Sequence, residues 1–123
     1  MGRYINATPG QASTVRSITT TYQALVNDRI LADATGGAFT ITLPAAADTM
    51  AGDVVQIYDI AGQAASNNIT VGRNSSKIQG AAEDLVINVA NAVITLTYTN
   101  ATYGWVITSN IRYYTNKRLY SLE

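Results

Sequence analysis

Short runs of threonine, valine, isoleucine and tyrosine recur along the chain, each broken within a few residues by glycine, asparagine, aspartate or serine. This rhythm decides the fold class. β-Branched and aromatic side chains fit a half-buried pleated surface and are stiff in a helix. The interrupting residues are those that tolerate left-handed backbone or bond their own main chain in turns. The segment Phe39-Thr40-Ile41-Thr42-Leu43 alternates apolar and polar residues at period two, so one of its faces is buried, and Pro44 ends it by lacking an N–H donor. Val54-Val55-Gln56-Ile57-Tyr58-Asp59-Ile60 alternates in the same way after the Gly52-Asp53 turn. In 92–99, Val93, Thr95, Thr97 and Thr99 face one way and Ile94, Leu96 and Tyr98 the other.

Strands are predicted at 15–21, 28–34, 38–43, 54–60, 67–71, 77–79, 84–89, 92–99 and 105–108. The pair 84–89 and 92–99 reads as a hairpin joined by Ala90-Asn91, and 100–104 as a turn. Residues 45–51 tolerate a helix but are too few for more than one turn. About nine short strands in a chain of this length suggest an all-β module, a compact sandwich, barrel or prism-like unit. Thr40-Ile41-Thr42-Leu43, Asn68-Ile69-Thr70-Val71 and Val93-Ile94-Thr95-Leu96 echo one another, but strand composition explains the echo and no strict repeat is found.

The two ends read differently from the β-module at 14–108. Residues 1–13 and 109–123 show no clear period. They hold Arg3, Arg112, Lys117 and Arg118, half of the 8 basic residues, and Tyr4, Tyr113, Tyr114 and Tyr120, half of the 8 tyrosines. Arginine and tyrosine are enriched where proteins bury surface against partners, whereas disordered tails are poor in aromatics. These eight residues are therefore the candidate partner interface, carried on two extended arms.

Chemistry is constrained from the other side. The 8 basic and 8 acidic residues cancel, which argues against nucleic acid as a main partner and removes the self-repulsion that keeps copies apart. With no cysteine and no histidine, disulfides, thiolate nucleophiles, a Ser-His-Asp arrangement and imidazole ligation are excluded. Asp28, Asp33, Asp48, Asp53, Asp59, Glu83 and Asp84 are scattered, mostly beside turn residues, where Asp caps the backbone. A glycosidase pair of carboxylates is the competing idea. Gly36-Gly37 is too short to cradle a phosphate, no EF-hand pattern exists, and no cofactor or metal is expected. Trp105, the sole tryptophan, reads as a core or interface anchor rather than a sugar-stacking platform, since Val106 and Ile107 follow it in a strand. No apolar stretch is long enough for a membrane helix and residues 1–10 lack the apolar core of a signal peptide, so synthesis in a cytoplasm without export is expected.

The succession Thr40-Ile41-Thr42-Leu43-Pro44, Gly52-Asp53-Val54-Val55-Gln56-Ile57, Asn68-Ile69-Thr70-Val71, Lys77-Ile78-Gln79-Gly80 and Tyr103-Gly104-Trp105-Val106-Ile107 resembles a β-module of tailed-bacteriophage virion proteins. That module occurs in capsid decoration (cement) proteins, head fibres and parts of tail fibres, and the resemblance spans roughly residues 30–107. It implies a non-enzymatic homotrimer on the capsid exterior that binds the major capsid protein and stabilises the shell. A tail-associated or head-fibre adaptor is the alternative within that family, and a host-surface carbohydrate-binding module the alternative outside it. The chain departs from long tail fibres in being one module long, without a coiled-coil or repeat shaft.

Overall fold

The computed structural model describes residues 14–113 and 119–121, which are mostly strands and the turns and loops between them. The strands are β1 (Thr14–Ile18), β2 (Tyr22–Gln23), β3 (Asp28–Ala32), β4 (Phe39–Thr42), β5 (Val54–Asp59), β6 (Ile69–Gly72), β7 (Leu85–Ile87), β8 (Ala92–Asn100), β9 (Gly104–Tyr113) and β10 (Leu119–Ser121). A 3-10 turn, Ala46–Asp48, occupies the helix-tolerant stretch. The all-β expectation holds, with β2 added because two residues are too few for a periodic signal.

The strands form two sheets, neither closed on itself: a long one in the order β1-β3-β5-β8-β9-β10 and a short one in the order β2-β4-β6-β7. The first six strands alternate between sheets. Within each sheet they run parallel, β1 beside β3 beside β5 and β2 beside β4 beside β6. This is the connectivity of a flattened coil, each strand lying on the one laid down a turn earlier. Thr40 lies beside Thr70 and Ile41 beside Val71, so two of the segments that echo in the sequence are stacked neighbours. They are offset by two residues from the match of their letters. The loops 43–53 and 60–68 are long and 24–27 and 33–38 short, so the coil has no fixed period for the sequence to display.

Parallel pairing inside a coil leaves one face of each strand for the interior. Ile30, Ile41, Leu43, Val55, Ile57, Ile69, Val71, Leu96 and Trp105 are fully buried and belong to one cluster drawn from both sheets. Along β8 buried and half-buried residues alternate without a break, as the period predicts.

Two expectations are corrected. Segments 84–89 and 92–99 do not form a hairpin: β7 pairs with β6 in the short sheet, and β8 with β5 and β9 in the long one. Ala90-Asn91 is a crossing between sheets. A left-handed asparagine serves either purpose, and here Asn91 has φ 64 with its N–H held by Asp59. Nor does the last strand stop at Thr108. β9 runs to Tyr113, and β10 pairs antiparallel with its end, so the region read as a C-terminal arm contains sheet. The register shifts between Thr95 and Leu96, whose partners are Ser109 and Ile107, leaving Thr108 as the extra residue of a bulge. The bulge breaks the period-two pattern, and the strand becomes illegible beyond it. The segment at 77–79 is no full strand, but Ile78 bridges to Trp105 and to Ala81. The N-terminal arm at 1–13 lies outside the described residues.

Candidate functional site

A glycosidase needs a pair of free carboxylates. The Asp28 side chain, 1% exposed, accepts from Tyr22 Oη (2.7 Å) and the Leu25 N–H (2.8 Å). Asp33 accepts from the Thr35 N–H; with the Thr35 hydroxyl, the larger influence, that bond holds its carboxyl below the ordinary range. Asp53 takes the Met50 N–H and Asp84 the Arg73 N–H. Asp59, 4% exposed, takes three, from Gln63, Ala64 and Asn91. These acids shape turns. Among the described residues, no three metal-binding side chains converge.

What the fold leaves unsatisfied is backbone at its strand edges. Within the described residues the long sheet ends at β1 and β10 and the short sheet at β2 and β7. The β1 edge is guarded. Arg16 stands in register with the buried Ile30, so it lies on the inner face of an edge strand, 3.8 Å from Asp28. A charge placed there opposes the addition of another strand, since pairing would strip water from it. Tyr22 closes the same end over Asp28, and burial together with that carboxylate pushes its phenol up to about 12. The folded value exceeds the ordinary 10, so this contribution to stability is complete below pH 10 and disappears as pH rises through about 12. Tyr22→Phe is therefore expected to flatten the fall in stability between those limits, and denaturant melts at stepped alkaline pH measure it. An unchanged slope refutes the assignment.

Among the described residues the β7 edge has no such guard. Leu85, Val86 and Ile87 carry no charge, and Val86 is 47% exposed. Beside the strand lies an apolar recess of about 240 Å³ lined by Leu85, Ile87, Val89, Ile94 and Ile107. An uncharged apolar edge is a template for pairing.

The outer face of the long sheet carries a polar row that is internally bonded. Arg29 donates to Gln56 Oε1 (3.3 Å) and Tyr58 Oη (3.2 Å), Tyr58 donates to Gln56 (2.9 Å), and Gln56 donates to Thr95 Oγ1 (2.9 Å). This row crosses β3, β5 and β8. It presents an arginine and a tyrosine from the middle of the chain, the same residue types that mark the two ends, at positions outside the candidate interface. Their outward period-two positions were the available signal.

Trp105 is 0% exposed and meets Tyr98 edge to face, with centroids 5.4 Å apart, so it is an interior anchor and offers no platform to a sugar. Of the eight candidate interface residues, Arg112 and Tyr113 lie in β9 and Tyr120 in β10. The register sets Tyr120 opposite Arg112 at the outer limit of the long sheet. Arg3, Tyr4, Tyr114, Lys117 and Arg118 lie outside the described residues. No protein-family model matches this chain, and a search of curated proteins returns no match.

Proposed function

We propose that the chain is a non-catalytic building block of a phage virion, a homotrimer decorating the capsid exterior and stabilising the shell. The observation that carries the assembly half of this reading is the contrast between edges: β1 guarded by Arg16, β7 apolar and open. In a three-fold ring the contact is heterologous, so the β7 edge of one copy meets a different edge of the next, and closure limits growth. The two sheets around one core then act as a small open sandwich whose unpaired strand is completed by a neighbour. The turn-capping role of the acids and the lack of histidine and cysteine support a mechanical role rather than turnover. The virion assignment rests on the succession of motifs from Thr40 to Ile107. Arg112, Tyr113 and Tyr120, in the strands at the far limit of the long sheet, are the residues we propose to meet the major capsid protein.

Val86→Lys tests the assembly. It adds a charge to an exposed position on the open edge and disturbs little of the fold. Size-exclusion chromatography with light scattering is expected to show a trimer for the parent and a monomer for the variant, with unchanged circular dichroism. A parent monomeric at high concentration, or a variant that still trimerises, overturns the role of β7. The capsid assignment is tested by quantifying the chain in purified particles. A copy number matching the capsid lattice supports it, and one matching the tail overturns it.

A further inference from the structure

We infer that the recess between the turn at 73–77 and the β8–β9 turn binds an oxyanion, a phosphate or sulfate group. Arg73, Ser76, Lys77, Tyr98 and Asn100 line this recess of about 170 Å³, space enough for one tetrahedral anion, and no carboxylate lines it.

Three observations point to an anion. The first is charge. Four cationic side chains stand between residues 14 and 110, and two are engaged elsewhere, Arg16 with Asp28 and Arg29 with Gln56 and Tyr58. The other two, Arg73 and Lys77, both line the recess, and neither forms an ion pair among the described residues. The guanidinium of Arg73 spends one donor on the Ser76 carbonyl (2.9 Å), which fixes its position and leaves other N–H groups to bind. The second is an orphan. Ser76 is 8% exposed, yet its hydroxyl has no hydrogen-bond partner among the described residues. A buried polar group left unpaired is costly, and an oxyanion supplies the acceptor it lacks. The third is backbone. Asn74 and Ser75 are consecutive non-glycine residues at positive φ, 50 and 66, a strain held in place by the Asn74 side chain bonding the Leu43 carbonyl. Such strain concentrates at ligand-binding turns. On the opposite wall the side-chain Oδ1 of Asn100 accepts from the N–H groups of Thr102 and Tyr103, so the group that side chain has left to offer is its NH₂ donor. Every polar side chain lining the recess is of a type that can donate.

The molecule carries its own reporter. Tyr98 lines the recess and packs edge to face on Trp105, the sole tryptophan, so occupancy alters tryptophan emission. The test is a fluorescence titration of the whole chain with sodium phosphate and sodium sulfate, against sodium chloride at matched ionic strength. A saturable response and a raised melting temperature are expected with the oxyanions and not with chloride. Lys77→Ala, at an exposed side chain, is expected to weaken binding roughly tenfold, as loss of one charge-assisted contact does. Ser76→Ala is expected to weaken binding while leaving the ligand-free melting temperature unchanged or higher, because it removes an unpaired hydroxyl. Arg29→Ala, on the outer sheet face, should titrate as the parent does. Parallel titration with a sulfated or phosphorylated monosaccharide separates the sources: tighter binding than the inorganic ion marks the group as part of a larger ligand, and equal binding marks a free ion. A chloride response equal to that of phosphate, or a Lys77→Ala protein that binds like the parent, overturns the inference.

Discussion

Gly104→Ala is expected to cost about 3–5 kcal/mol of folding stability, at the upper end for one methyl group. Gly104 opens β9 at φ +71, where an L side chain is strained, and the added Cβ would stand 1.9 Å from the Lys77 carbonyl oxygen and 2.5 Å from its carbon. No rotamer relieves a clash with main chain. The strands must part, and parting them breaks the bond from the Trp105 N–H to the Lys77 carbonyl (2.8 Å) and the one from the Gln79 N–H to the Trp105 carbonyl (2.7 Å). Trp105, the largest fully buried side chain, is then no longer seated. Urea denaturation followed by far-ultraviolet dichroism measures the loss. Tryptophan emission should shift to the red at lower denaturant than in the parent. A variant within 1 kcal/mol of the parent, a typical surface effect, would mean that this contact is far looser than described.

Asp59→Ala is expected to cost a similar amount, about 3–5 kcal/mol, by another route. One carboxylate gathers the N–H groups of Gln63 (3.2 Å), Ala64 (3.0 Å) and Asn91 (2.9 Å) from two loops distant in sequence. Removing it strands donors in a buried place, each at about 1–3 kcal/mol before relaxation. Asp59→Asn keeps the shape but turns one acceptor into a donor, so it should fall between parent and alanine. Chemical denaturation of the three proteins gives the order. Should asparagine prove as harmful as alanine, the geometry of the acceptors, and not only their presence, sets the cost. Should alanine cost under 1 kcal/mol, the loops do not depend on Asp59. The same substitution frees the crossing at Asn91 that carries the chain from the short sheet to the long one.

Much of this was legible in the residues. The alternation in Phe39–Thr42 and Ala92–Asn100 identified strands and their buried faces, and both the stop at Pro44 and the turn role of the acids follow from elementary preferences. Pairing was less legible, because period two reports a face and not a neighbour. Ala90-Asn91 is written like a hairpin turn and serves as a crossing. The coil leaves no periodic trace in the sequence because its connecting loops differ in length. The Thr108 bulge hid the second half of β9. Of the candidate interface, Arg112, Tyr113 and Tyr120 were brought together at one sheet limit, although the segment holding them read as an arm. The guarded and open edges could not be read at all: whether Arg16 or Val86 stands at a margin depends on which strands lie outermost, a property of the whole arrangement.

The stacked parallel connectivity makes length a free variable. Within their sheets β3 and β4 each pair only with the strand of the preceding turn and that of the following one, in parallel on both sides. Duplicating a single gene segment that encodes one turn would insert a rung without disturbing either end, lengthening the body by about 4.8 Å. The number of rungs in such a body is thus set by repetition of the turn, each new rung reusing the core of the one beneath it.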